Sequence, residues 1–350
     1  MKTYYAGLDL HKSMSVISVK DEQGKLLKQG KVANDRMALE QFFKGFSSAE
    51  IHTALEATSN YQWMYDKLES LGHRVDLAHP LKVKAIASAK VKTDKIDSSI
   101  LSDLLRADLL PTSYVPPPPI RMLREIIRHR VRLVRDRAQV KNRVRAILIK
   151  INQPVIGAYD IASLKARKFL QTLTIPVMYK LSMEDSLFQL DSLTQQIKRL
   201  DSKLSEESKN FPVVKRLTEI PGIGIFTALV IVAEVGNIER FESWKKLASF
   251  SGLVPGVHQS AETRYGKSIT HLGSSYLRWV LVEAAASLIR HTGPLRAFYL
   301  RLSKAKGHGK AIVAVARKLL IGIYHVWKYS EPFSPKGIDF EEPVQSCGRN

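Results

Sequence analysis

The order of apolar and polar residues predicts a mixed α/β fold over residues 1 to about 110. Runs rich in β-branched and aromatic residues between polar clusters are typical of strands, whereas apolar residues spaced three and four apart are typical of helices. By these rules strands are expected at 3–9, 14–20, 26–32, 51–56 and 74–78, and helices at 36–46, 61–71 and 98–110. Three consecutive strands are therefore followed by alternating helices and strands.

This order of elements fits a sheet of the ribonuclease H type, in which the first and fourth strands lie side by side. Asp9 ends the first predicted strand and Glu56 ends the fourth. Acidic residues are poor strand formers, and functional groups gather at the carboxyl ends of strands in open α/β sheets. Both side chains are therefore expected at one edge of the sheet.

Two further acids lie where a helix is expected to be apolar. On a helical wheel, Asp94 and Asp97 fall on the same side as the apolar residues that follow, whereas Asp103 falls on the solvent side. Burying a carboxylate is costly unless a cation offsets the lost hydration. Four carboxylates at one edge would repel one another, and two Mg²⁺ ions would relieve that repulsion. The alternative is that these two aspartates only stabilise the positive end of the helix.

The rest of the chain is predicted to be mostly helical. Four prolines at 116–119 interrupt the pattern, because proline cannot continue a helix. A long basic helix is expected over 121–150, and a later helix has a heptad seam that consists of Leu190, Leu193, Ile197, Leu200 and Leu204. Such a seam serves either an intramolecular hairpin or a dimer.

A different pattern begins near residue 212. The segment 220–224 lies between two predicted helices and resembles the hairpin of helix-hairpin-helix modules, in which backbone amides, here those near Gly222 and Gly224, contact phosphate. A plain helix–helix turn is the alternative. A polar loop is expected from Gly252 to Gly273. Two basic helices, 276–290 and 310–328, are expected to close the fold.

These patterns divide the 350 residues into three domains and a tail. The predicted parts are an α/β domain over 1–115, a basic helical and coiled-coil region over 116–211, a mostly α domain over 212–335 and a tail over 336–350. Hydrophobic residues make up 45% of the chain, which is enough for sizeable cores.

The composition indicates a protein that binds a polyanion. The chain has 54 lysines and arginines against 33 acids, a formal charge of +21, which favours nucleic acid as a partner. No apolar stretch approaches about 18 residues and no signal-peptide pattern is present, so neither a membrane nor export is expected. Cys347 alone supports neither a disulfide framework nor a zinc site, which favours a reducing cytoplasm.

The positive charge is concentrated in residues 121–150, which contain eleven lysines and arginines and two acids. The resulting net charge of +9 makes binding to a phosphate backbone the preferred interpretation, with Arg128, Arg132 and Arg135 as candidate contacts. A solvated basic face is the alternative.

The order and spacing of these motifs resemble the IS110 family of insertion-sequence transposases, which are related to the Piv DNA invertases. Three segments look like the parts of the DEDD signature of that family: Gly-Leu-Asp at 7–9, Leu-Glu-Ala-Thr at 55–58 and Lys-Thr-Asp-Lys-Ile-Asp at 92–97. The segments 220–224, 250–255 and 273–278 resemble its second domain. The resemblance runs from about residue 4 to 335. It implies a RuvC-like first domain and a helical transposase domain that carries a catalytic serine.

The resemblance also implies a set of catalytic residues. The implied ligands of Mg²⁺, with two ions expected and Mn²⁺ as a substitute, are Asp9, Glu56, Asp94 and Asp97. Ser260 takes the position of the nucleophilic serine, although Gln259 and Ala261 replace its usual neighbours, Glu and Gly. Other hydroxyl-bearing residues of the same loop are Thr263, Ser268 and Thr270.

Attack by Ser260 on a DNA phosphate would leave a covalent serine–DNA ester, and strand exchange would follow through a junction. The implied partners are donor and target DNA, a guiding bridge RNA and further copies of the chain in a dimer or tetramer. Because the serine and the acids fall in different domains, they are expected to meet by domain packing, within or between subunits.

Three functions compete. The leading one is the transposase or recombinase, in a bacterial or archaeal cytoplasm. The second is a RuvC-like junction-resolving nuclease, which would activate water with the same acids and would not need Ser260. The third is a non-catalytic nucleic-acid-binding protein, for which no metal dependence is expected.

Overall fold

The computed structural model describes residues 2–46, 49–86, 93–153, 160–260, 263–269, 273–291 and 293–334, with the backbone alone for 255–260 and 263–269. The chain divides into two compact units, Met1–Val115 and Pro116–Asn350. The division falls at the proline run, where missing backbone donors interrupt regular hydrogen bonding.

The first unit contains, within its described residues, six strands and four helices. The strands are β1 (Thr3–Leu10), β2 (Met14–Lys20), β3 (Leu26–Ala33), β4 (Glu50–Glu56), β5 (Arg74–Ala78) and β6 (Thr112–Ser113). The helices are α1 (Arg36–Phe43), which a 3-10 segment at Lys44–Phe46 extends, α2 (Tyr61–Ser70), α3 (Pro80–Ile86) and α4 (Asp94–Arg106). The predicted strand positions are confirmed, whereas α4 begins and ends four residues earlier than predicted.

The strands form one mixed sheet in the order β3-β2-β1-β4-β5-β6. β1 pairs antiparallel with β2 and parallel with β4, and β4 pairs parallel with β5. This sheet confirms the prediction that the first and fourth strands are neighbours. The pattern does not predict β6, because a strand of two residues is too short to show a period.

Helices cover both faces of this sheet. Leu55 of β4 packs with Phe43 of α1 and Met64 of α2, whereas the preceding residue, Ala54, packs with Leu101 of α4. Successive strand residues point to opposite faces, so a strand that is covered on both sides is apolar along its length. The position of α4 against β1 and β4 determines the geometry of the candidate site.

The second unit is mostly helical in the part that the structure describes. Its helices are α5 (Pro118–Lys150), α6 (Leu164–Thr172), α7 (Val177–Glu207), α8 (Pro212–Thr218), α9 (Ile225–Val235), α10 (Trp244–Ser251), α11 (Ser275–Leu288), α12 (Pro294–Lys306) and α13 (His308–Lys328). Its strands are β7 (Pro255–Ser260) and β8 (Thr263–Ile269), and 3-10 segments lie at Ser208–Asn210 and Ile238–Arg240.

Two predictions for this unit are wrong. The expected polar loop from Gly252 to Gly273 contains the antiparallel hairpin of β7 and β8, because strand formers such as Val257 and Tyr265 alternate with its polar residues. A further helix, α12, lies between the two helices expected to close the fold. Pro294 occupies the start of that helix, where proline is well tolerated because its missing N–H needs no partner there.

The heptad seam of α7 is used within the chain. All five of its predicted residues are buried, and most of them share a core with Val140, Val144 and Leu148 of α5. The intramolecular hairpin is therefore the observed use of the seam. The apolar face of α5 does not run straight along the helix, and Ala138, near its middle, is exposed. Its first turns pack in the core formed by α8 to α13, and its later turns pack on α7, so the buried face shifts along the helix.

The core of the second unit is centred on α9, in which every residue from Ala228 to Val235 is buried. None of the described helices is both long and apolar enough to cross a membrane.

Candidate functional site

Asp9 and Glu56 lie at one edge of the sheet. The parallel register of β1 and β4 pairs Leu8 with Leu55, and the next residue on each strand is one of these acids. The side chain of Asp9 is 17% exposed. Because both strands run in the same direction, their carboxyl ends bring the two acids to the same rim, as the sequence predicts.

Gly7 allows α4 to lie directly on β1. A Cβ atom at this position would stand 2.0 Å from the carbonyl oxygen of Ser98 and 2.6 Å from the backbone nitrogen of Ser102, distances that no side chain tolerates. The hydroxyls of Ser18 and Ser98, on β2 and α4, form a buried hydrogen bond of 2.7 Å beside this contact. The close approach brings the first turn of α4 next to the end of β1.

The first turn of α4 contains both predicted aspartates. The Thr93 hydroxyl caps the helix by accepting a hydrogen bond from the backbone nitrogen of Ile96 at 3.3 Å, so the helix begins at Asp94. The fully buried face starts only at Ser98, and the side chain of Asp94 is 48% exposed. The expectation of deeply buried acids is therefore wrong for Asp94. The same first turn gives both aspartates the favourable helix-end position that was the alternative interpretation.

His11 joins Asp9 to Asp94. Its Nε2 atom lies 3.2 Å from Oδ2 of Asp9 and 3.3 Å from Oδ2 of Asp94. The sequence pattern does not identify this histidine. The signal available was its position two residues after Asp9, because alternate residues of an extended segment point to the same side.

The three side chains form a group that fits a divalent cation. One ligand atom from each of Asp9, His11 and Asp94 lies within 4.8 Å of the other two. Carboxylate oxygens suit Mg²⁺ and Mn²⁺, and imidazole is a common ligand of transition-metal ions. Among the described residues, Glu56 and Asp97 are not part of this group, although they lie at the end of β4 and in the first turn of α4.

An open groove runs beside the three-residue group. It is lined by His11 and Asp94 together with residues 13–16 of β2 and its preceding turn, and by Lys31 of β3. Lys31 is exposed and supplies a cation to the groove that Asp94 also lines. The groove therefore combines a candidate cation site with a positive side chain, which suits a phosphate group.

Ser260 is the last residue of β7, and its backbone pairs with Thr263 of β8. The segment that contains this hairpin is joined at its base, because the backbone nitrogen of Ser274 donates to the carbonyl of Phe250 at 3.0 Å. Gly273, with a φ of 94°, makes the joint possible, since a Cβ there would stand 2.0 Å from the same carbonyl oxygen. Thr263 and Ser268 lie on β8, and Thr270 lies outside the described residues.

Arg128, predicted to contact nucleic acid, is used inside the second unit. Its Nη2 lies 3.0 Å from Oε1 of Glu234, a residue of α9 that is 3% exposed. The other carboxylate oxygen of Glu234 accepts a hydrogen bond of 2.9 Å from the hydroxyl of Ser274. Glu234 is not among the residues predicted from the sequence. Its signal was the one acid in a helix of eleven residues that are all apolar apart from it and Thr227.

The other predicted nucleic-acid contacts are placed differently. Arg132 and Arg135 are exposed; Arg132 pairs with Glu125 at 2.9 Å, and Arg135 lies over the ring of Tyr276 at 5.8 Å. Gly222 faces inward, because a Cβ there would stand 2.7 Å from the carbonyl oxygen of Ala284 in α11. Gly224, by contrast, has open space around the corresponding position.

Two family models match the chain. The model described as a transposase of the DEDD type in the IS110 group matches residues 6–153, which include the rim of the sheet and α4. The model described as the transposase IS116/IS110/IS902 family matches residues 214–300, which include α9, the hairpin and α11.

Curated relatives extend over most of the chain. A protein of Sinorhizobium fredii that carries a transposase name, y4pF/y4sB, is 31% identical over 281 residues, which cover 76% of this chain and 70% of the relative. The transposase for insertion sequence element IS1111A of Coxiella burnetii is 24% identical, with 89% and 86% covered. The pilin gene-inverting protein of Moraxella bovis is 25% identical, with 83% and 84% covered. The chain therefore belongs to the IS110/IS116 family of transposases, enzymes that cut and rejoin DNA.

Proposed function

We propose that this transposase holds divalent metal, two Mg²⁺ ions with Mn²⁺ as a substitute, at the rim of its sheet, and that Ser260 attacks the DNA. The proposed metal ligands are Asp9, Glu56, Asp94 and Asp97. The observation that carries the proposal is the meeting of Asp9 and Asp94, from a strand and a helix, at one nitrogen atom of His11.

The charge of the rim supports a bound cation. Like-charged carboxylates that share a site disfavour each other's ionisation, and a divalent ion relieves that repulsion. Membership of a DEDD family implies divalent metal, and such ions stabilise the charge that develops on a phosphate during displacement. Lys31, in the adjoining groove, is suited to hold a DNA phosphate next to the acids.

The proposed reaction is a transfer of phosphate between hydroxyl groups. Oγ of Ser260 forms a bond to phosphorus, the bond between phosphorus and one strand oxygen breaks, and the serine proton ends on that oxygen. A hydroxyl of another strand then reverses the step, which joins the strands in a new order and restores the serine. Because each step exchanges one phosphate ester for another, no external energy source is needed.

Strand exchange, guidance by a bridge RNA and assembly into a dimer or tetramer belong to the same proposal. The pilin gene-inverting relative supports strand exchange, because gene inversion requires cut strands to be rejoined in a new arrangement. The bridge RNA and the assembly into a dimer or tetramer rest on the family resemblance. The acids and Ser260 lie in separate units of the chain, so domain packing, within or between copies, would have to bring them together.

Nucleic-acid contacts on α5 are also part of the proposal. Arg132 and Arg135 are exposed and are the better candidates for phosphate contacts. Arg128 is expected to contribute least, because Glu234 already neutralises its guanidinium. At the turn before α9, the space beside Gly224 is free for a phosphate to approach, whereas Gly222 packs against α11.

The metal proposal is tested with Asp9→Asn and Asp94→Asn, measured by Mn²⁺ titration and by cleavage of the element's terminal DNA. Each variant is expected to weaken Mn²⁺ binding at least tenfold and to abolish cleavage, while retaining the fold and DNA binding, because one ligand charge is lost. Glu56→Gln and Asp97→Asn test the two remaining acids. Glu69→Gln, an exposed acid of α2, is the matched control. Undiminished Mn²⁺ binding and cleavage in the Asp9 and Asp94 variants would refute a metal site at this rim.

The serine is tested by trapping the reaction and separating its products on a denaturing gel. Ser260→Ala is expected to retain Mn²⁺ binding and to lose the protein–DNA adduct and recombination together, whereas Ser268→Ala, in the same hairpin, is expected to retain both. If Ser260→Ala still cleaves DNA, water is the nucleophile and the RuvC-like nuclease is the better description. An adduct that maps to Ser268 would instead move the nucleophile to that residue.

A further inference from the structure

The turn between α12 and α13 is a strongly basic, exposed segment for which the proposed chemistry has no role. We propose that this segment, residues 301–310 and here called the basic turn, binds the phosphate backbone of duplex DNA. Its cations are Arg301, Lys304, Lys306 and Lys310. They lie within residues 284–330, a stretch of nine lysines and arginines that contains no acid. The chain therefore supplies no neutralising charge near them in sequence.

The four cations are available at the surface. All four residues are exposed, and across the described ranges no carboxylate forms an ion pair with any of them. Arg301 lies 5.8 Å from the ring of Phe298, one turn earlier on its own helix, and remains exposed. Exposed and unpaired cations retain their full charge for a partner, whereas an ion pair within the chain would already neutralise that charge.

The basic turn belongs to a packed part of the fold rather than to a loose tail. Gly307, with a φ of 78°, ends α12, and the Tyr299 hydroxyl forms a hydrogen bond of 2.8 Å with Nδ1 of His308 at the start of α13. The flanking helices are anchored in the core by residues such as Phe298 and Ile312. The cations therefore start from fixed backbone positions, and less ordering is needed on binding.

The arrangement carries an electrostatic cost in the absence of a partner. Arg301 and Lys304 lie three residues apart on one helix, so their side chains are neighbours, and the repulsion between like charges at this spacing destabilises the helix. Lys310 lies in the first turn of α13, where the helix dipole disfavours a cation and where no acid is present. A polyanion at the turn would offset both the repulsion between Arg301 and Lys304 and the unfavourable position of Lys310 at the helix start. A Cβ atom at either Gly307 or Gly309 would have nothing within 4 Å, so a backbone phosphate has room to approach.

Duplex DNA is the partner that this surface fits best. The chain belongs to a family of enzymes that act on DNA, and duplex DNA carries about one negative charge per 1.7 Å of its axis. The basic turn contains no Phe, Tyr or Trp on which unpaired bases would stack, and the ring of its one histidine, His308, is hydrogen-bonded to the hydroxyl of Tyr299. The inference is independent of the metal ligands and of Ser260, because it concerns binding and not cleavage.

The test compares two triple variants of equal charge. The first, Lys304→Gln with Lys306→Gln and Lys310→Gln, removes three cations from the basic turn. The control, Lys198→Gln with Arg199→Gln and Lys209→Gln, removes three exposed cations at α7 and the 3-10 segment after it, where acids are interspersed. Affinity for a duplex of about 20 base pairs is measured by fluorescence anisotropy over a range of salt concentrations.

The basic-turn variant is expected to bind DNA about ten to a hundred times more weakly at low salt. The slope of log K against log salt is negative, and its magnitude is expected to fall by about three. The control is expected to lose less than about threefold in affinity. Equal losses in the two variants would overturn the proposal. If the basic-turn variant loses affinity only for duplex RNA of the same length, the surface binds RNA and the proposal that it binds DNA is overturned.

Chemical labelling of the unmodified protein gives a second measurement that does not depend on the folding of a variant. Acetylation of surface lysines, quantified by mass spectrometry, is expected to show protection of Lys304, Lys306 and Lys310 by duplex DNA at low salt. Lys198 and Lys209 are expected to react equally with and without DNA. Unprotected lysines in the basic turn at saturating DNA would contradict the proposal.

Discussion

α5 and the basic turn are both rich in arginine and lysine, yet they use these residues differently. On α5, Arg124 donates to the backbone carbonyls of Ala233 and Glu234 at 2.5 and 2.9 Å, and Arg128 pairs with the buried carboxylate of Glu234. Arg130 pairs with Asp201 of α7 at 2.9 Å. The described cations of the basic turn have no such carboxylate partners and are exposed.

The difference shows that the net charge of a segment does not measure the charge available to a partner. The acids that neutralise Arg128 and Arg130 lie 106 and 71 residues further along the chain, so a window over 121–150 does not contain them. The basic turn lies in an acid-free stretch, where no acid near in sequence competes for its cations. The comparison separates residues that the fold uses internally from residues that it leaves for a partner.

The largest expected effect is the loss of an internal cation. Arg128→Met is expected to lower the free energy of unfolding of the second unit by about 3 kcal/mol, because the buried carboxylate of Glu234 is left without its cationic partner. The measurement is urea denaturation followed by tryptophan fluorescence, since Trp244, Trp279 and Trp327 lie in this unit. Lys306→Met, in the basic turn, is the matched control and is expected to change the free energy by less than about 0.5 kcal/mol.

A second variant shows whether the unpaired acid causes that loss. Arg128→Met combined with Glu234→Met is expected to recover most of the stability, because neither charge then remains in the interior. If Arg128→Met alone costs less than about 1 kcal/mol, Arg128 behaves as a surface residue and the contrast with the basic turn fails.

The two glycines of the segment 220–224 give a smaller effect of the same kind. Gly222→Ala is expected to cost about 2–3 kcal/mol, because its φ of 88° is unfavourable for an L-residue and the new Cβ would meet the carbonyl of Ala284 at 2.7 Å. Gly224→Ala, in open space, is expected to stay within about 0.5 kcal/mol of the parent. Thermal unfolding of the two variants is the measurement, and equal melting temperatures would show that Gly222 is not committed to packing.

The smallest expected effect concerns the exposed arginines of α5. Arg132→Gln with Arg135→Gln is expected to reduce the magnitude of the salt slope of DNA binding by at most about two. The double variant is expected to cost less than about 1 kcal/mol of stability, because the Arg132–Glu125 pair is exposed. Anisotropy titrations beside those of the basic-turn variant rank the two surfaces. A larger loss from α5 than from the basic turn would reverse the comparison.

Much of the first unit follows from local sequence. The alternation of apolar residues specifies the strand meander, and the order of elements specifies that Asp9 and Glu56 share a rim. His11 is missed because a histidine after a strand has no distinctive pattern of its own. Its role in the site depends on Asp94, which lies 83 residues away and reaches it only because Gly7 lets α4 settle on β1.

In the second unit the sequence predicts α5, α11, α13 and the seam of α7, but it predicts neither α12 nor the use of charge. The hairpin is missed because its polar residues and glycines obscure the alternation of strand formers. Ser260 is placed at the end of β7 only by that hairpin.

By itself, then, the sequence determines most of the elements and their order, the family motifs and the positive balance of charge, because these depend on periods and spacings within short windows. Only the tertiary structure decides which charged side chains are available to a partner. Glu234 neutralises the charge of Arg128, whereas no described carboxylate pairs with Lys304, Lys306 or Lys310. The physical reason is that an ion pair depends on distance in space, and residues far apart in sequence come within a few ångströms only when the cores around them pack.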